Sequence, residues 1–183
     1  MTVTDLRLRR CRPADVEAVL ELDGWALREA GTDPADVPGA GDLRELPESY
    51  REAGGEFVVG MLPEVADEKG TNGRPLPALK DGRLVAAGGF RPTDAGYEDE
   101  RAAENAAELH RMRVAPTHQG RGNGRSLLSE LERRALAAGF RLLLATTAVR
   151  QRSAVEFYPA AGYREVGRST YGDYDLVHFE KEI

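Results

Sequence analysis

Residues 108–128 read ELHRMRVAPTHQGRGNGRSLL. The first part, ending at Pro116, has the composition of a strand closed by a proline. Then Gln119, Gly120, Gly122 and Gly124 crowd together with Arg121 and Arg125 among them, and the chain turns apolar. Such a segment serves as a flexible linker, an Arg/Gly nucleic-acid tract or a phosphate cradle opening a helix. The apolar residues on its C-terminal side decide between these. Leu127, Leu128, Leu131 and Ala135 form one helical stripe, with Glu130, Glu132, Arg133 and Arg134 outside it. Gly139 stands where a left-handed cap stops that helix. A linker is not locked between a strand and an amphipathic helix, and an Arg/Gly tract belongs in a tail. A glycine loop at a helix start points unpaired N–H groups at one spot, where the helix dipole adds about half a positive charge. Without a Cβ it also lets a bulky anion come close. The Walker loop needs Gly-Lys-Ser/Thr, whereas Gly124 precedes Arg125-Ser126. The Rossmann fingerprint needs G-x-G-x-x-G, whereas these glycines alternate.

The flanks extend the pattern. Leu6 and Leu8 alternate with charge and predict a first strand. Val16, Val19, Leu20 and Leu27 predict a helix that Gly31 stops. A second helix is expected over 42–53, interrupted by Pro47. GEFVVGML predicts a strand, and PLPALKDGRLVAAGGF a hairpin turning at Asp81-Gly82. The polar stretch between them, about 62–75, is expected to be a surface insertion. FRLLLATTA is apolar enough for a strand buried on both faces. SAVEFYPAAGY predicts a short helix capped by Gly162. YREVGR and YDLVHFEKE predict closing strands. In the second, Leu176, His178 and Glu180 share one face, opposite Val177, Phe179 and Lys181.

The chain of 183 residues predicts one domain over 1–183. A net charge of −6 argues against general nucleic-acid binding. Cys11 is the only cysteine, so no internal disulfide and no cysteine-based zinc site is possible. It reads as a buried structural thiol. No run approaches the roughly 20 apolar residues of a membrane span, and the N-terminus has no apolar core of signal-peptide length. A cytoplasmic location is the expectation. His110, His118 and His178 lack ligand-like spacing with carboxylates, so no metal is expected.

Gln119-Gly120-Arg121-Gly122-Asn123-Gly124 resembles the Q/R-x-x-G-x-G/A signature of the GNAT N-acetyltransferases. ELHRMRVAP resembles that family's fourth strand, and SAVEFYPAAGY its helix near the C-terminus, which ends in a Gly-aromatic pair. The similarity is clearest from Glu108 to Val166. It implies an α/β domain of α+β type: a mixed, mostly antiparallel sheet of about seven strands flanked by helices, splayed between the fourth and fifth strands. It also implies acetyl-CoA as co-substrate and direct transfer of acetyl to a primary amine in a ternary complex.

By the same resemblance, Gln119, Gly120, Arg121, Gly122, Asn123, Gly124 and Arg125 hold the pyrophosphate. Arg125 reads equally as a solvated helix residue. Met112, Arg113 and Val114 border the pantetheine arm, with the Met112 amide a candidate donor to the thioester carbonyl. Gln151 stands where many relatives have an asparagine. Leu109 and Met112 are out of phase for a strand, which a β-bulge explains and burial on both faces explains equally well. Glu108 is the candidate general base, since an ammonium must lose a proton before it attacks a thioester. Its other reading is a strand carboxylate without a catalytic role. Tyr158 is the candidate acid for the departing thiolate, or else a core aromatic beside Phe157.

The expected acceptor is a small amine or peptide amine. Tyr171, Asp173, Tyr174 and Asp175, with Glu98, Asp99, Glu100 and Glu104, make an acidic, aromatic rim that suits a cation. Neither nucleic acid nor membrane is expected as a partner, and a homodimer is the assembly to check. The rivals are a non-catalytic acetyl-CoA sensor of the same fold and an RNA-associated protein.

Overall fold

The structure, a computed structural model, describes residues 6–37, 40–63, 74–93 and 103–183. In chain order these form β1 (Arg7–Arg10), α1 (Val16–Glu29), α2 (Glu48–Glu52), β2 (Glu56–Leu62), β3 (Ala78–Leu79), β4 (Gly82–Pro92), β5 (Ala106–Val114), α3 (Asn123–Ala137), β6 (Leu142–Ala148), α4 (Arg152–Ala160), β7 (Arg164–Tyr171) and β8 (Tyr174–Glu182). Short 3-10 turns fill several connections. The fold is one α+β domain with an 8-stranded sheet in the order β1-β2-β4-β5-β6-β8-β7. The two-residue β3 lies off this path and pairs only with β4. Every pairing is antiparallel except that of β5 with β6.

Most elements stand where the sequence puts them. Gly31 and Gly139, with φ of 75° and 101°, come after α1 and α3 in the left-handed region that glycine tolerates. The helix expected over 42–53 is a correction. It is a 3-10 turn over Ala40–Glu45 and then the short α2, split at Pro47, which cannot donate to a continuous helix. Most of the expected insertion at 62–75, and Glu98, Asp99 and Glu100, lie outside the described residues.

Two cores sandwich the sheet. Leu22 and Trp25 of α1 pack with Tyr50, Phe57, Val59 and Leu84 on one face. Leu127, Leu128 and Leu131 of α3 pack with Val58, Phe90, Leu143 and Phe179 on the other. Alternation along β2 sends Val58 and Val59 to opposite cores. Each fully buried leucine of the α3 stripe contributes roughly 1.5–3 kcal/mol, which anchors the helix whose first turn adjoins the glycine loop.

The sheet is really two half-sheets. β5 pairs with β6 only from Ala106↔Leu142 to Leu109↔Ala145. Beyond that point β5 stays with β4, and β6 stays with β8 as far as Ala148↔Leu176. The two strands therefore part. The β4–β5 register also jumps there: Ala87 faces Arg113, but Gly89 faces His110. Arg111 and Met112 thus oppose Gly88 alone, and Arg111 has φ of 56°. Of the two explanations for the phase of Leu109 and Met112, the structure shows the β-bulge.

The glycines opposite the bulge are sterically required. A Cβ on Gly89 would lie 2.7 Å from the Glu56 carbonyl oxygen and 2.7 Å from the Tyr50 ring. Gly89→Ala is expected to lower stability by about 2 kcal/mol through overpacking, measured as a shift of the urea midpoint at unchanged m-value. An unshifted midpoint would mean that β2 and β4 yield easily at this point.

Candidate functional site

The parting of β5 and β6 opens a cleft of about 920 Å3 that reaches both faces of the sheet. Of the residues singled out in the sequence, Glu108, Met112, Arg113, Val114, Gln119, Gly120, Gly122, Gly124, Arg125, Gln151 and Tyr158 line it. Arg121 and Asn123 do not. The Asn123 side chain is 1% exposed and turns inward, where Nδ2 donates to the His118 carbonyl at 2.9 Å. Asn123 therefore braces the glycine loop from behind, leaving only its main chain to face a ligand.

The loop is shaped for a close approach. Gly120 and Gly122 have φ of 70° and 84°, and a Cβ on either would meet nothing within 4 Å. Gly122 is the left-handed residue immediately before α3, so the first N–H groups of that 15-residue helix come directly after it, unpaired within the helix. Gln119 Nε2 donates to the Val114 carbonyl at 3.2 Å and ties the loop to the end of β5. Its main-chain geometry and the helix dipole give the loop the form that suits an anion.

Tyr158 enters the same cleft from α4. Its ring packs against Phe157, Tyr163 and Phe179. Burial pushes its phenol from 10.0 up to about 12, with Arg113 pulling the other way. It remains a protonated donor at any working pH. Across the splay, Glu108 is 5% exposed and accepts from Thr146 Oγ1 at 2.9 Å. Thr146 Oγ1 is in turn 2.9 Å from His178 Nδ1, and His178 Nε2 is 2.7 Å from Ser169 Oγ. The sequence reading weighed His178 only as a metal ligand and gave no role to Thr146 or Ser169. Their available signal was polar threonines closing the otherwise apolar run LLLATTA, since a polar side chain in a buried strand needs a partner.

A second group unseen in the sequence holds the bulge. Asp42 accepts from Arg111 Nη2 at 3.1 Å, from Arg91 Nη2 at 3.4 Å and from the Tyr50 hydroxyl at 3.0 Å. The Arg91 guanidinium lies 4.0 Å over the Tyr50 ring. Burial holds the Tyr50 phenol well above its ordinary value. Asp42, Arg91 and Arg111 all line the cleft. Arg113, beside them on β5, is held by Asp23 of α1 at 2.8 Å.

The β7–β8 hairpin supplies Tyr171, Tyr174 and Leu176 to the cleft, and the turn after α1 supplies Asp36. Tyr174 donates to Asp36 Oδ2 at 2.9 Å, with Arg150 stacked 3.7 Å from its ring. Of the rim expected from sequence, Tyr171 and Tyr174 line the cleft, whereas Asp173, Asp175 and Glu104 do not. The wall is more mixed in charge than the sequence suggested. Cys11 lies in the first core, where burial pushes its thiol up to about 12. Among the described residues no group of three or more His, Cys, Asp or Glu side chains is placed to hold a metal ion, and no helix is long and apolar enough to cross a membrane.

Asp42→Asn is expected to cost about 3 kcal/mol, because it removes the charge from a buried ion pair; chemical denaturation measures this. A loss below about 1 kcal/mol, the size typical of a surface pair, would show that Asp42 does not organise this wall.

Comparison with known proteins places this architecture. The profile of the Acetyltransferase (GNAT) family matches residues 42–163. A solved GNAT-family acetyltransferase from Staphylococcus aureus Mu50 superposes with a TM-score of 0.73 at 16% identity, covering 97% of this chain and 98% of its own. The yncA protein of Salmonella typhimurium, solved with its cofactor acetyl-CoA, superposes with a TM-score of 0.67 at 17% identity, over 97% and 94% of the two chains. An "IAA acetyltransferase" of Azospirillum brasilense is 34% identical over 102 residues, which are 55% of this chain and 60% of the relative. The chain thus matches only about 60% of that relative's length.

Proposed function

The chain belongs to the Acetyltransferase (GNAT) family, and from that premise we propose that it is a cytoplasmic enzyme moving acetyl from acetyl-CoA to a small amine or peptide amine, directly, in a ternary complex. The observation that carries the reading is the convergence of Glu108, Tyr158 and the Gly120–Gly122–Gly124 loop on one cleft. The S. typhimurium neighbour with acetyl-CoA supports the co-substrate.

In this reading the loop and the α3 N-terminus take the pyrophosphate, with Arg125 as a charged partner. The pantetheine arm lies along β5 at Met112 and Val114, between the parted strands. The acceptor comes from the other mouth, past Asp36, Tyr171 and Tyr174. Glu108 takes a proton from its ammonium. The amine nitrogen forms the new bond to the acetyl carbon, the thioester C–S bond breaks, the Tyr158 hydroxyl donates to the departing sulfur, and the second proton shed by the nitrogen returns to the Tyr158 oxygen. Cys11, buried away with a raised thiol, gives no support to an acetyl-cysteine intermediate.

Screening CoA release across amines, amino acids, polyamines, aminoglycosides and peptides tests the reading. Turnover on at least one amine is expected, and acetyl-CoA binding without release on any would mark a sensor instead. With an active acceptor, Glu108→Gln should lower kcat at neutral pH by about 100-fold at nearly unchanged acetyl-CoA affinity. Wild-type turnover in that variant would remove Glu108 as the base.

Tyr158→Phe should lower kcat by about tenfold, the loss of one hydrogen bond to a charged atom. The folded pKa of about 12 lies above the ordinary 10.0, so the donor form persists up to that value. The wild-type pH profile should therefore show no alkaline limb that Tyr158→Phe abolishes. Such a limb below about pH 11, a full unit under the folded value, would contradict the assignment.

A further inference from the structure

We propose that His178 is a positioning residue for Glu108, acting through Thr146. The inference rests on the reading of Glu108 as base but on separate observations. Four side chains from four adjacent strands form one hydrogen-bonded line across the sheet: Glu108 of β5, Thr146 of β6, His178 of β8 and Ser169 of β7. The register makes this line. Thr146 stands directly opposite His178 in the β6–β8 ladder, and β5 meets β6 at Glu108↔Leu144, two residues before Thr146. The line begins at a carboxylate in the cleft and ends at Ser169, an exposed residue of the edge strand.

The protons fix its direction. A threonine hydroxyl has one proton and lone pairs to accept with. Thr146 gives its proton to Glu108 Oε1 at 2.9 Å. The contact of 2.9 Å to His178 must then be donated by the ring, so Nδ1 carries a hydrogen. In the neutral ring Nε2 accepts from Ser169 Oγ at 2.7 Å; in the imidazolium it donates there instead. In either state Nδ1–H points at Thr146 and keeps the threonine hydroxyl turned toward Glu108. His178 thereby holds the orientation of the carboxylate through its Oε1 oxygen. Glu108 reaches the ring across β6, and on the ring's own strand Glu180 is the same-face neighbour, bound to Arg164 of β7. Ser169 and Gly167, which β7 places beside it, carry no charge.

Ring-nitrogen NMR of labelled full-length protein tests this without any acceptor. The neutral His178 ring is expected as the Nδ1–H tautomer, and its pKa should fall by about one unit in Glu108→Gln, which removes the opposing charge. An Nε2–H tautomer, or a pKa unmoved by Glu108→Gln, would overturn the proposal. Kinetics add a readout that a packing role would not give. With a panel amine that supports CoA release, His178→Leu and Thr146→Val should each lower kcat about fivefold, the equivalent of one neutral hydrogen bond, at unchanged KM for acetyl-CoA. His178→Asn keeps an N–H where Nδ1 stands, and Thr146→Ser keeps the hydroxyl; both should restore kcat. Equal losses in His178→Leu and His178→Asn would count against positioning. Unchanged turnover in Glu108→Gln would instead remove the base assignment and leave the NMR result to judge the hydrogen-bonded line.

Discussion

Two parallel strands stop pairing at Leu109 and Ala145, and the site depends on that parting. A main chain that leaves its ladder must find other partners or water. Here β5 keeps β4, β6 keeps β8, and the strand faces turned toward each other border a cleft instead. The same gap puts a carboxylate and a phenol into one cleft: Glu108 from β5 and Tyr158 from the α3–α4 side of the sheet. A continuous ladder would have sealed them from each other.

Holding the gap open requires conformations that are unfavourable by themselves. Arg111 adopts φ of 56°, which costs a non-glycine residue roughly 1–2 kcal/mol. Its guanidinium reaches Asp42, which also binds Arg91 and Tyr50. That buried cluster fixes the bulge on one side of the cleft. On the other side, Thr146 and His178 fix the carboxylate by a line of hydrogen bonds across β6 and β8. Glycines at 88 and 89 give the bulge its room, since a Cβ on Gly88 would sit 2.7 Å from Met112 Sδ. The wall of the cleft is thus braced on both sides where it meets the sheet.

Much of this was legible from the chain because it rests on local pattern. The Leu127, Leu128 and Leu131 stripe, the glycine caps and the Asp81-Gly82 turn each carry their own geometry. The broken phase between Leu109 and Met112 left a bulge and two-sided burial open, and the register decides for the bulge. Glu108, Tyr158 and the loop were legible through resemblance, and they do meet in one cleft. The contacts that escaped depend on register. Thr146, His178 and Ser169 become neighbours only once β6, β8 and β7 are aligned, and Asp42 meets Arg111 across 69 residues of chain. A periodicity gives a residue's face but not its partner on the next strand. The helix over 42–53 failed for a local reason. Leu43, Leu46 and Tyr50 are all buried, but Pro47, the interruption already visible in the sequence, splits the segment.

The central claim is that acetyl-CoA enters where β5 and β6 part and lays its pyrophosphate on the loop before α3. Hydrogen exchange of the full-length protein with and without acetyl-CoA tests it most directly. Strong slowing of exchange over His110–Val114 and Gly120–Arg125, with little change in β1 and β2, is the result expected from a ligand bound between the half-sheets. Protection confined to other segments, with these amides exchanging as fast as in the free protein, would contradict it.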